Sequence, residues 1–182
     1  MAASKIYWCA RDLAGSPWGN HHFILVVQGE PKITSTMGVT WQKYAGTEFM
    51  TIAAFAIKKG GTNRLMLGYN EKSDVHAVKE VLNPAITKKQ WSDFDLERHA
   101  VAPPNGKTKD AFVKDIIVKA ELFKKNEAKK NLPYSLIDEN CAAWVNSLFK
   151  ACGVPKTTRI KAGEFSGFDW GEEDEIPASY FK

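Results

Sequence analysis

The chain has 182 residues, 44% of them hydrophobic and 25% charged, with a net charge of +4. That is enough for one sizeable core but short for two ordinary domains, so a single domain spanning 1–182 is expected. No stretch approaches the roughly 18 consecutive apolar residues of a membrane-spanning helix, and residues 1–9 lack the basic start, apolar middle and small-residue cleavage site of a secretory signal.

In chain order, residues 4–9 suit a short strand. A turn-rich run over 15–20 then leads into His21-His22-Phe23-Ile24-Leu25-Val26-Val27, whose apolar, β-branched character reads as a buried strand. Gln28-Gly29-Glu30-Pro31 suggests a hairpin connection, with 32–39 as the return strand. Residues 48–57 and 64–69 read as further strands, separated by a turn at Gly60-Gly61. The first 70 residues therefore predict an antiparallel meander. Residues 75–82 fit a helix or a strand equally well. Residues 87–91 could open a short helix, and 96–102 a strand ended by the turn Pro103-Pro104-Asn105-Gly106.

Two helices carry clearer signals. The first has Thr108 as N-cap, Asp110 in its first turn, and Phe112, Val113, Ile116, Ile117, Ala120 and Phe123 as one apolar stripe. The second starts near Cys141 with Asn140 as N-cap and ends at Gly153, followed by Pro155. The acidic run at 169–175 introduces a C-terminal tail, 169–182, that reads as solvated and leaves the rest of the chain strongly basic. Such a body suits an acidic surface, although lysines paired along a helix also fit a solvated face. No nucleic-acid partner is expected.

Cysteine usage narrows the chemistry. Cys9, Cys141 and Cys152 make an odd count without a CxxC pair, which argues against a disulfide framework and a structural zinc site. Cys141, Trp144, Val145, Leu148, Phe149 and Cys152 share one helical face, so Cys152 reads as core, and Cys9 likewise. Cys141 differs because it opens the helix. Unpaired backbone N–H groups and the positive end of the macrodipole favour a thiolate there and can hold an oxyanion. A histidine on the sheet beneath could take its proton. Strand alternation lets only one of His21 and His22 point that way. His76 and His99 read as surface or structural residues, Gly60-Gly61-Thr62-Asn63 as a turn rather than a phosphate loop, and Trp18 and Trp41 as packing or groove-rim aromatics.

The run Asn140-Cys141-Ala142-Ala143-Trp144-Val145-Asn146-Ser147-Leu148 resembles the NCxxFVNxL helix start of circularly permuted papain-like thiol enzymes. These include the permuted branch of the NlpC/P60 superfamily and the lecithin:retinol acyltransferase-like proteins. Their histidine strand precedes the cysteine helix, and the run from His21 to Gly29 is similar in order and spacing. The resemblance implies an α+β fold with an antiparallel sheet packed against helices in permuted papain-like topology. Its histidine-to-glycine spacing selects His21 as the base of the Cys141 nucleophile, with His22 as the alternative. The family's third polar residue would come from the strand after the histidine strand. Thr34, Thr36, Glu48 or a backbone carbonyl are the candidates, and the histidine of the acyltransferase-like branch is missing there.

The activity so implied is that of a cysteine hydrolase without metal or organic cofactor. The leading expectation is a bacterial amidase or endopeptidase acting on cell-wall peptides. It could serve as a toxin exported by a dedicated secretion machine and be held by an immunity or inhibitor protein. A lipid acyltransferase or thioesterase is the second expectation, and a papain-like domain used only for binding is the third.

Overall fold

A computed structural model describes residues 2–12, 20–34, 36–82, 96–135, 140–165 and 174–182. The described chain is α+β. An antiparallel sheet is built from β1 (Lys5–Asp12), β2 (Asn20–Val27), β3 (Gln42–Tyr44), β4 (Thr47–Lys59), β5 (Thr62–Tyr69) and β6 (Leu96–Ala100). Four helices accompany it: α1 (Lys72–Val81), α2 (Lys109–Lys130), α3 (Cys141–Ala151) and α4 (Lys156–Gly163). The expected helix at 87–91 lies outside the described residues.

β2 sits in the middle of the sheet, between β1 and β4. Apolar layers cover both of its faces, which is why it reads as an apolar run rather than an alternating pattern. On one face Trp8, Ile24, Val26, Met50 and Ile52 meet residues of α2 and α3. On the other, Tyr7, Cys9, Phe23, Leu25 and Phe49 meet Val75 and Val78 of α1. The ambiguous 75–82 segment is thus helical. Residues 75 and 78 share one helical face, and that face closes the second layer.

The expected return strand at 32–39 does not appear among the described residues of that range. Instead β4 lies against β2, with Phe23 opposite Ala53 and Val27 opposite Phe49. Pro31 has no N–H to offer a ladder. The Gln28 side chain takes both backbone groups of Ile33, accepting from its N–H at 3.0 Å and donating to its carbonyl at 3.1 Å. Thr34 N–H then donates to Asp110 at the start of α2. Ile33 and Thr34 thus find backbone partners without a strand ladder. Hairpins appear where the chain turns in two residues with positive φ, at Ala45-Gly46 and at Gly60-Gly61.

The pairing of β4 has one consequence for everything that follows. One of its edges pairs with β2 only over Phe49–Ala53, while the opposite edge pairs with β3 and then with β5 as far as Lys59. Beyond the Phe23–Ala53 pair, β2 continues backwards to Asn20 along β1 alone. A notch opens in the sheet between residues 20–22 of β2 and the outer half of β4.

The helix caps follow the sequence. Thr108 accepts from Ala111 N–H at 3.1 Å, Asn140 accepts from Ala143 N–H at 3.0 Å, and Gly153 adopts φ +90° after α3. The α2 stripe of Phe112, Val113, Ile116, Ile117, Ala120 and Phe123 is fully buried. α4 carried no clear signal. Its buried residues are Arg159, Ala162 and Gly163, and Gly163 lies so close to the Trp8 ring that an added Cβ would come within 3.2 Å of it.

The C-terminal stretch departs from the solvated tail expected of it, at least over 174–182. Ile176, Tyr180 and Phe181 are buried, with Phe181 stacked 5.6 Å from Phe123. Ile176 N–H donates to Ser147 at 2.7 Å, and Glu175 pairs with Lys150. The acidic residues 169–173 lie outside the described residues. Phe181→Ala should therefore cost about 3–5 kcal/mol in urea unfolding, the usual cost of truncating a core aromatic. A solvated tail would show no change.

Candidate active site

The N-terminus of α3 enters the notch. Cys141 is the first residue of the helix and is buried. Its sulfur accepts a hydrogen bond from the backbone N–H of His22 at 3.3 Å and lies 3.8 Å from the carbonyl oxygen of Asn20. The thiol thus occupies the place on β2 where a neighbouring strand would have been. It stands in the plane of the sheet although its helix packs on one face.

That placement separates the two histidines. His22 points to the α3 side, where its Nδ1 accepts from the Trp8 indole N–H at 3.0 Å and its ring meets the edge of Phe165. His21 points to the α1 side and shares a cavity of about 260 Å³ with Cys141. Arg11, Phe55, Ala56, Glu71, Ser73 and Tyr134 complete the lining. The His21 and Cys141 side chains face each other across that cavity, close enough for the charge on Cys141 to act on the imidazole.

The other side of the imidazole faces a residue that the sequence reading did not select. Asp74, in the first turn of α1, is fully buried, and its Oδ2 lies 3.4 Å from His21 Nε2. Its Oδ1 accepts from Arg11 Nε at 2.7 Å, and Arg11 Nη2 donates to Ser73 Oγ at 2.8 Å. Arg11 is directly opposite His21 in the β1–β2 register, so both side chains leave the same face of the sheet. The helix start also favours an anion at Asp74. One signal was available: Asp74 shares the apolar face of its helix with Val75 and Val78, and a carboxylate in that position is buried only with partners.

The other candidates for a third residue are elsewhere. Thr34 is tied to Asp110, Thr36 N–H donates to Thr34, and Glu48 pairs with Lys43. For Thr34 and Thr36 the physical reason is the missing return strand; Glu48 is on β4, but beside Gln28, at the opposite end of β2 from His21. Cys9 and Cys152 are buried free thiols whose pKa values burial pushes upward. His76 is exposed beside Glu80, and His99 meets the edge of Phe165. Trp41 packs partly buried against the core, while Trp18 lies outside the described residues. Among the described residues no cluster of His, Cys, Asp or Glu could hold a metal ion, and no helix is long and apolar enough to cross a membrane.

The charges in the site reinforce one another. Burial works against the charged imidazolium of His21, but the nearby negative charges of Cys141 and Asp74 outweigh it and raise the pKa from 6.5 to about 9. Burial alone would raise the Asp74 pKa. The nearby His21 ring, aided by the charge and hydrogen bond of Arg11, holds it below the usual carboxylate value instead. Burial and the Cys141 charge raise the Tyr134 phenol to about 12. The arrangement can hold a proton on His21 at neutral pH while presenting sulfur to the cavity.

No protein-family model, curated protein or solved structure matches this chain.

A raised folded pKa gives His21 a definite sign in stability. Its contribution is present in full below about pH 6.5 and is lost as pH rises through about 9. An NMR titration should place the His21 midpoint near 9. In Cys141→Ala the midpoint should fall by about one unit or more, since the leading favourable charge is gone. An unmoved midpoint would contradict the thiol–imidazole pairing.

Proposed function

We propose that this protein is a cysteine hydrolase of the permuted papain-like type, with Cys141 as nucleophile, His21 as base and Asp74 as the residue that orients His21. One observation carries the reading. A buried thiol at a helix N-terminus shares a cavity with a buried imidazole whose Nε2 lies 3.4 Å from a buried carboxylate. A purely structural cysteine on an apolar stripe needs neither partner. The permuted papain-like topology belongs to the same proposal, supported by a histidine strand that precedes the cysteine helix in the chain.

The chemistry follows from the atoms. With Nε2 facing Asp74, Nδ1 of His21 is the nitrogen left for the thiol. His21 takes the Cys141 proton, and the sulfur attacks the carbonyl carbon of an amide as the carbonyl electron pair moves to oxygen. Ala143 N–H is committed to Asn140 and Trp144 N–H to the Asn140 carbonyl. The N–H groups of Cys141 and Ala142 have no intrahelical acceptor and suit the oxyanion. The C–N bond breaks as His21 returns the proton to the leaving amine. Water, deprotonated by His21, then cleaves the thioester and restores the thiol.

The substrate we infer is a peptide of the kind that crosslinks bacterial cell walls. The cavity joins Arg11, His21, Glu71 and Ser73 to Phe55, Ala56 and Tyr134, a mixture of polar and apolar groups that can receive a peptide. The basic body of the chain suits an acidic wall polymer. Export as an antibacterial effector held by an immunity protein is part of this proposal.

Digestion of purified cell wall, followed by mass spectrometry, tests the reading. New amine and carboxyl termini should appear with the native protein and be lost by 10³-fold or more in Cys141→Ala. Release of fatty acid from phospholipid vesicles without attack on cell wall would overturn the substrate class. Activity that survives Cys141→Ala would overturn the mechanism. Asp74→Asn should lower kcat by roughly tenfold to a hundredfold. It should also move the alkaline limb of the pH profile below the native value near 9, a shift that mere loss of stability would not produce.

A further inference from the structure

The cavity beside Cys141 contains one acid with no role in the chemistry above. Glu71 is the N-cap residue of α1, yet its side chain makes no capping hydrogen bond. A glutamate reaches the helix N–H groups less well than Asp, Asn, Ser or Thr, and this one lines the cavity instead. Among the described residues, its carboxylate has no hydrogen-bond or ion-pair partner.

The neighbouring charges are already matched. Arg11 is held by Asp74 and Ser73, and His21 is matched by Cys141 and Asp74. Glu71 therefore leaves an uncompensated negative charge on the wall of the site. Beside it is the ring of Phe55. Gly68 makes room for both: an added Cβ there would lie 2.3 Å from the Phe55 ring and 3.1 Å from Glu71 Oε1. A carboxylate next to an aromatic ring is a pairing that attracts cations by charge and by the ring's negative face.

We infer that Glu71 and Phe55 form a specificity site for an ammonium group carried by the substrate near the scissile carbonyl. The class this selects is a peptide with a free amine, either an N-terminal amine or the side-chain amine of a diamino acid. The inference rests on the proposed Cys141 hydrolase. Where that reading gives a reaction, Glu71 states which peptides enter it. Both amine sources offer the same cation, so the assay must separate them.

Two pairs of dipeptide 4-nitroanilides would do so. One pair carries a free or acetylated α-amine. The other has an acetylated N-terminus and a free or acetylated side-chain amine. With the native protein, one free-amine substrate should exceed its acetylated partner in kcat/KM by about tenfold or more, the size of a charge-assisted hydrogen bond in a partly shielded site. The pair that shows the effect identifies the source of the amine. Glu71→Gln should reduce the ratio towards one. Glu71→Lys should reverse it, favouring a succinylated substrate over the free amine, a reversal that no loss of packing at the α1 start would give. Cys141-dependent turnover with no preference in either pair overturns the ammonium site and leaves the hydrolase reading intact. A preference that survives unchanged in Glu71→Gln also overturns it. No Cys141-dependent turnover of any of the four overturns both.

Discussion

The site depends on where two strands stop pairing. β2 and β4 part after Phe23 and Ala53, because β4 runs on with β5 while β2 runs back along β1. Had they stayed paired, the N–H of His22 would meet a backbone carbonyl and no opening would exist between the layers. Since they diverge, a helix from one layer can present its first residue in the plane of the sheet. The sulfur of Cys141 then meets the N–H of His22 directly. Through the same opening, a thiol anchored on the α3 side reaches an imidazole on the α1 side. The layered architecture supplies rigid walls, and the break in pairing supplies the site.

The electrostatics follow from that crossing. Arg11, Asp74, His21 and Cys141 form a line of alternating sign, drawn from β1, α1, β2 and α3. A lone buried carboxylate would cost several kcal/mol or neutralise itself by taking a proton. Asp74 avoids both outcomes because each of its oxygens faces a cationic partner and it sits at the positive end of a helix. Removing any member exposes its neighbour's charge to an apolar surrounding. The four elements are therefore coupled more strongly than their apolar contacts alone would make them.

Much of this was legible in the sequence where the signal is local. The caps at Thr108 and Asn140, the apolar stripe of α2, the stop at Gly153 and the buried strand after Asn20 depend on residues within a few positions of one another. So does the placement of Cys141 at a helix start. The partner of β2 was not legible. Residues 32–39 have strand-like composition, and what keeps them from the sheet is the Gln28 side chain and a contact with Asp110, distant in sequence. With no strand there, Thr34 and Thr36 lie away from the imidazole they were expected to orient. Asp74 needed two facts together: that 72–81 is a helix, and that its apolar face carries an acid. The C-terminal residues were misjudged because the charge before them outweighed the aromatic pair at their end. Tyr180 and Phe181 find their pocket only once α2 and α3 are side by side.

The adjacent histidines also bear on how the strand keeps its place. Any one-residue slip of β2 would exchange the faces of every side chain it carries. Apolar residues line both faces of this strand, so hydrophobic burial distinguishes the two registers poorly. The imidazoles do distinguish them. One has an indole N–H waiting on the α3 side, and the other has a carboxylate waiting on the α1 side. A slipped strand would leave the buried Asp74 without its ring and Trp8 without its acceptor. The pair acts as a key with two different teeth, and single-residue insertions or deletions within 20–27 are the changes this sheet is least able to absorb.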